Sequence, residues 1–422
     1  LQLANYYDDY TFILAGKDFD HSKHIQLATF QTFGRRSIDL SQYDAVFVDE
    51  CFTGDTEILN TEGFIKFKDL TKEHIVAQYD TNTEIMSYVK PIRLIHKQAT
   101  EDLISIKGPN KLNITTTAQH EILMQNNVTN QYVKKNAEDV TKSSIYKLPV
   151  TPKQFINANG TDHLAPMEKL QIAFQADGSI HHKYTGNFTK HNTKEMLEAK
   201  MGFIPNKGKG SLLFGFSKER KIKAFLELMK EGNFNFKEVK SDIRQDSSNR
   251  KSQRRFTVSN IDLSKLSKDH SKVFQLNTFT QSKAQEFIEY LMIWDGYIDK
   301  NNPENRRYYS NTNKPSVKFA QTIAILAGYK THKSIQIDSR SDKFNDIHRL
   351  YIDKSQRYIG MQRVTSKVIP NSKGTDVYCV EVPKHNIIVR SNDQVLITGN
   401  CHMRFNTDLV KQIRELSCTR VF

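Results

Sequence analysis

The sequence predicts a multidomain chain: a mostly-β unit split in two, an α+β unit set inside it, and short α/β pieces at both ends. Three observations carry this expectation. Short, alternating, turn-rich segments such as "GFIKFKDL" and "HNIIVRSNDQVLI" stand on both sides of the middle. The middle contains a two-fold repeat, in which each copy is an apolar helix-like run closed by Asp-Gly. Near residue 50 an apolar strand, "AVFVDE", ends in two acids and then gives way to an unrelated polar segment, "CFTGDTEIL".

The 422 residues suffice for two or three cores. The net charge is +14, and residues 161–350 hold 33 basic against 21 acidic side chains, so most of the excess sits in the middle. A basic unit within a near-neutral chain points to a polyanion, most simply nucleic acid. A solvated lysine-rich surface is the plainer alternative. No run of 18 apolar residues is present, so no membrane span is expected. The chain opens on Leu1 without a secretory signal and reads as a fragment. Cys51, Cys379, Cys401 and Cys418 are too scattered for a disulfide framework and lack zinc spacing, which suits a monomer in a reducing cytoplasm.

The interrupted strand resumes far downstream. Removing Cys51 to Asn400, 350 residues, joins "YDAVFVDE" to "CHMRFN" and restores "VFVDECHM". That seam resembles the Asp-Glu-Cys-His form of the Walker B motif in DEAD/DEAH-box-like helicases. The resemblance implies that residues 1–50 and 401–422 are pieces of a RecA-like helicase domain. Asp49 would then hold magnesium and Glu50 would position the attacking water once the whole host bound ATP and Mg²⁺. The two pieces total 72 residues and lack a phosphate loop of their own.

The removed segment resembles an intein, a self-splicing protein element. "CFTGDTEIL" matches the opening block, "KLNITTTAQHEILM" the Thr-x-x-His block, "DVYCVEVPKHNIIV" the penultimate block and "VLITGNC" the closing one. The resemblance implies a HINT-type splicing module over 51–160 and 350–400, and a site of Cys51, Thr117, His120, Cys379, His385, Asn400 and Cys401. Cys51 would attack the Glu50 carbonyl to give a thioester, with His120 protonating the leaving nitrogen and Thr117 holding the bond. Cys401 would take over the upstream segment, and cyclisation of Asn400 to a succinimide would release the insert. The flanking segments are thus the splicing substrate, and no cofactor is required. Two departures stand out. Cys379 replaces the usual Asp, and Gly399 replaces the usual His, which shifts the proton-donor load onto His385. Taken singly, Cys51 reads as a core thiol, His120 as a core histidine and Asn400 as a turn residue.

Within 161–349, "LQIAFQADGSI" and "IEYLMIWDGYI" align Asp177 on Asp295, 118 residues apart, and each is followed by a β-like segment and a helix. This pattern resembles the LAGLIDADG homing endonucleases. That family implies two packed helices, one carboxylate from each at a Mg²⁺ site, and a β-saddle over DNA. Ala173 and Ala176 suit a close helix crossing, whereas Tyr290 and Trp294 are bulky. Two core helices with Gly caps are the plainer alternative. The expected function is autocatalytic splicing joined to cleavage of the insert-free helicase gene. A splicing element with a decayed nuclease, and a helicase fragment with a passive insertion, are the alternatives.

Overall fold

The computed structural model describes residues 51–99, 101–180, 208–239, 253–337 and 345–400, together with four short strands outside them, Tyr10–Ile13, Ile25–Ala28, Val46–Val48 and His402–Arg404. Asp49, Glu50, Cys401 and Cys418 lie outside the described residues.

Most of the chain on either side of the middle is β. A six-stranded sheet runs in the order Thr365–Ile369, Leu103–Lys107, Asn113–Thr117, Phe52–Thr53, Thr375–Glu381, Arg93–Ala99. Its inner face is apolar: Phe52, Ile104, Ile106, Ile114 and Val377 are all buried. A second sheet contains the hairpin Asn386–Ser391/Gln394–Gly399, paired from Asn386↔Gly399 to Ser391↔Gln394. Its two-residue turn needs positive φ at both positions, and Asn392 (47°) and Asp393 (69°) are residue types that tolerate it. The hairpin is apolar on both faces, as "NIIV" and "VLI" suggest, because both are covered.

Among the described residues the middle repeats helix, two strands, helix, two strands. Helices α1 (Pro166–Asp177), α2 (Glu219–Glu231), α3 (Gln281–Asp295) and α4 (Lys314–Leu326) alternate with two four-stranded sheets. Gly178–Ile180, Lys209–Phe216, Arg254–Asp262 and Asn235–Val239 form the first, in that order. Gly296–Ile298, Arg307–Asn311, Ile347–Asp353 and Lys330–Gln336 form the second in the same order. The strand Ile347–Asp353 runs through the expected junction at 349, so this sheet extends to Asp353. Helix starts carry capping groups: Glu168 accepts the Ala165 N–H at 2.8 Å and Asn313 accepts the Ser316 N–H at 2.9 Å.

Gly178 and Gly296 close α1 and α3 with φ of −83° and −92°, not in the left-handed conformation of a Gly cap. Their requirement is steric. A Cβ on Gly178 would stand 2.8 Å from the Phe174 Cα, and one on Gly296 would stand 2.4 Å from the Met292 Cα. Each chain thus turns directly from helix into strand across its own last turn. Trp294 is accommodated rather than excluded: it is buried, with its ring 5.7 Å from that of Phe216.

The two halves share a core. Ile388, Val395 and Ile397 of the hairpin pack in one apolar cluster with Phe214, Phe287 and Ile323 of the middle unit, while Ile387, Val389 and Leu396 face the cluster around Phe52. Polar clasps flank this contact. Arg390 makes a two-pronged pair with Glu57 (2.6 and 3.0 Å) and reaches Gln321 of α4, and Lys333 pairs with Asp393 at 2.6 Å. Among the described residues no helix is long and apolar enough to cross a membrane.

Candidate functional site

Cys51 begins the short strand Phe52–Thr53, which lies between two longer ones. On one side Phe52 pairs with Thr116, and on the other with Tyr378. Extending both antiparallel registers by one residue sets Cys51 opposite Thr117 and opposite Cys379. On the first side the pairing is complete: the Cys51 N–H donates to Thr117 Oγ1 at 3.0 Å, and the Thr117 N–H donates to the Cys51 carbonyl at 3.0 Å. Cys51, Thr117 and Cys379 are all buried, and next along the strand the Phe52 ring stacks on Phe67 and lies 4.2 Å from the His120 ring.

His120 follows in the turn after Thr117 and donates its backbone N–H to the Thr117 carbonyl at 3.2 Å. The Thr-x-x-His spacing therefore folds both side chains onto Cys51's strand end. The His120 ring is fully buried, with Nε2 3.0 Å from Thr398 Oγ1, and Thr398 donates to the Glu121 carbonyl at 3.1 Å. Thr398 belongs to the strand that runs into Asn400, so this contact links the strand region of Cys51 and Thr117 to that of Asn400.

Asn400 is buried, and its backbone N–H donates to the His385 carbonyl at 3.3 Å. His385 is an exposed residue held at φ 54°, and its carbonyl also accepts from Lys134 Nζ at 3.0 Å. Further out, Val46–Val48 pairs antiparallel with His402–Arg404, with Val48 opposite His402, as a two-stranded ribbon.

A second cluster lies where α1 and α3 end together. Asp177 and Asp295 flank one ammonium, Lys221 Nζ, at 2.5 and 3.5 Å. Burial pushes the Asp295 carboxyl up, with Lys221 opposing and Asp177 reinforcing the shift. Lys268 donates to the Phe174 and Gly178 carbonyls at 2.6 and 2.5 Å, closing the end of α1, and burial pulls its ammonium down to about 8. Arg220 does the same for α3 through the Gly296 carbonyl at 3.1 Å. Among the described residues no three His, Cys, Asp or Glu side chains converge as a metal cage. Two carboxylates nonetheless fit Mg²⁺, which commonly takes one or two protein carboxylates and fills its remaining positions with water and phosphate oxygens.

Thr398, Lys221, Lys268 and Arg220 escaped the sequence reading. Thr398 could have been found from strand parity, since it shares a face with Asn400. The three basic residues sit among 61 and carried no distinguishing pattern.

No protein-family model matches the chain. A curated relative, the ribonucleoside-diphosphate reductase subunit beta of Aquifex aeolicus, is 29% identical over 418 residues, covering 92% of this chain and 56% of that protein. The ATP-dependent Clp protease proteolytic subunit of Chlamydomonas moewusii is 30% identical over 132 residues, 31% of this chain and 13% of that protein. The chain thus spans little more than half of the first relative and a small part of the second. Similar solved structures include the AceL NrdHF class 3 split intein, with 8% identity, 83% of this chain and 99% of that chain covered, and a TM-score of 0.32. They also include I-DmoI in complex with DNA and Mn, with 17% identity, 44% and 89% covered, and a TM-score of 0.26. Superpositions this loose carry no weight for fold or function.

Proposed function

We propose that the chain is a self-splicing intein that excises residues 51–400, ligates Glu50 to Cys401, and carries a LAGLIDADG-type DNA endonuclease. The observation that carries the splicing reading is the hydrogen bonding of Cys51. Thr117 Oγ1 accepts from the nitrogen of the bond to be broken, and its main chain holds the Cys51 carbonyl. An amide resists attack because its nitrogen lone pair is delocalised. Fixing that nitrogen, with the buried His120 ring packed on the next residue, Phe52, favours the nitrogen's protonation by His120. The Cys51 Sγ–C bond to the Glu50 carbonyl forms, the C–N bond breaks, and the thiol proton ends on the Cys51 nitrogen by way of His120. Cys379, facing Cys51 in register, is the group placed to accept or return a proton on the thiol side. Cys401 Sγ then attacks the thioester, takes the acyl group and releases the Cys51 thiol; the Asn400 side-chain amide attacks its own carbonyl, breaks the Asn400–Cys401 bond and frees the Cys401 amine, which takes the acyl group from Sγ to make the Glu50–Cys401 peptide. The antiparallel pairing of the two flanks supports transfer between neighbouring segments.

The nuclease reading rests on Asp177 and Asp295 meeting at the ends of the repeated helices. When bound there, Mg²⁺ would supply charge neutralisation at a scissile phosphate. The side chains' own part is to hold two carboxylates together, with Lys221 balancing their charge and placed to meet a phosphate oxygen. The two sheets and the positive middle would bind the duplex that spans the insertion point. That places the target in the codons for "AVFVDE" and "CHMRFN". The host as a DEAD/DEAH-box-like helicase, using Asp49 and Glu50 with ATP, rests on those seam residues alone.

The test pairs two variants. Cys51→Ala should leave only cleavage after Asn400. Asn400→Ala should abolish release yet permit thiol-induced cleavage before Cys51. Ligated product from both variants would overturn the splicing reading. Equal cutting of duplexes with and without the insert would overturn the homing reading.

A further inference from the structure

We infer that Thr398 is a positioning residue for His120, fixing which ring nitrogen carries the proton, and that the glycine at 399 exists to let it do so. The inference rests on the splicing reading and goes beyond it. A threonine hydroxyl has one hydrogen to give and lone pairs to accept with. The Thr398 hydrogen is committed to the Glu121 carbonyl at 3.1 Å. Toward His120 Nε2, 3.0 Å away, Thr398 must therefore accept, and Nε2 must be N–H. In the neutral ring the lone pair then sits on Nδ1, and on the splicing reading Nδ1 is the nitrogen that would take up and give a proton at the Cys51 junction.

The approach that makes this possible is very close. Thr398 and Glu121 are buried on adjoining strands, and a Cβ at 399 would stand 2.7 Å from the Glu121 carbonyl oxygen and 2.9 Å from the Glu121 Cβ. Any side chain at 399 pushes the two strands apart and lengthens the contacts that hold Thr398 in place. The strand that ends in Asn400 thus seats the histidine of the first step, so the first step proceeds fully only when the downstream junction is docked.

The test uses the full chain in an Asn400→Ala background, where thiol-induced cleavage before Cys51 isolates the first step. Its rate is followed against pH for Thr398→Val and Thr398→Ser, and the His120 tautomer is read by ¹⁵N NMR. Thr398→Val should slow cleavage about 10- to 100-fold, up to the lower end of the range a general acid contributes, because the acid is mispositioned rather than removed. It should also shift the pH profile and populate the other tautomer. Thr398→Ser should restore all three. An unchanged rate and profile in Thr398→Val, or a Thr398→Ser as slow as Thr398→Val, overturns the inference. Should Thr398→Val fail to fold, Thr398→Ala provides the same comparison. If the parent gives no thiol-sensitive cleavage at all, the splicing reading fails. The tautomer measurement still decides the Thr398 link: Nε2–H retained in Thr398→Val would refute it.

Discussion

Placing histidine at 399, the residue that the intein resemblance expects before the terminal Asn, should damage this protein rather than improve it. Gly399 pairs with Asn386 on one side and lies against Glu121 on the other. The new Cβ alone would come within 2.7 Å of a main-chain oxygen, which cannot swing aside as a flexible side chain could. Relief requires separating the Gln394–Gly399 strand from Glu121, in a region where Thr398 and Asn400 are fully buried. Overpacking of this kind costs about 1–3 kcal/mol. Gly399→Ala carries the same Cβ and should show most of that loss as a lowered urea midpoint. Gly399→His should add slower thiol-induced cleavage before Cys51, because the His120 seat is displaced with the strand. Intact-mass kinetics measure both junctions in one experiment. Faster succinimide release in Gly399→His, with unchanged stability and an unchanged first step, would refute the steric reasoning.

Other outcomes follow from the same geometry. Asp177→Asn and Asp295→Asn should each abolish Mg²⁺-dependent cutting of the insert-free duplex while leaving splicing intact; cutting by either variant in a gel assay would remove that carboxylate from the site. Arg390→Ala leaves Glu57 with only Lys318, 3.9 Å away, in place of its two-pronged partner and should destabilise the chain by about 1.5–3 kcal/mol, read from denaturant titration. Lys333 gives a pH dependence. Burial and Arg390 pull its ammonium down to about 8, against the attraction of Asp393, from an ordinary value of 10.5. Between those values the unfolded chain holds the proton and the folded chain has released it, so this group makes stability rise with pH over that window. Lys333→Met should flatten the rise, and an identical slope in the variant would contradict the assignment.

Much of the architecture is written in local pattern. Short, turn-rich runs marked the strands on both sides of the middle, although the run 386–399 is buried on both faces rather than alternating. The Asp-Gly repeat gave two helices that end together, although the glycine is needed for clearance from the preceding helical turn and not for a left-handed cap. What stayed hidden was long-range. Lys221 between the two carboxylates and Thr398 beneath His120 are fixed by contacts 44 to 278 residues apart, which no local spacing encodes. The shared core was hidden for a different reason. The sequence marked 386–399 only as β, and nothing in it says that one face of the hairpin belongs to the middle unit. Gly399 read as a missing proton donor, whereas its neighbour across the strand, Glu121, gives the reason that no side chain fits there.

Intact-mass spectrometry of the expressed 422-residue chain tests the rearrangement at Cys51 and Asn400 most directly. The predicted result is a 350-residue fragment ending in a succinimide or its hydrolysed Asn, and a joined 72-residue product in which Glu50 precedes Cys401. Persistence of the unbroken chain alone, or the same joined product from Cys51→Ala, would contradict it.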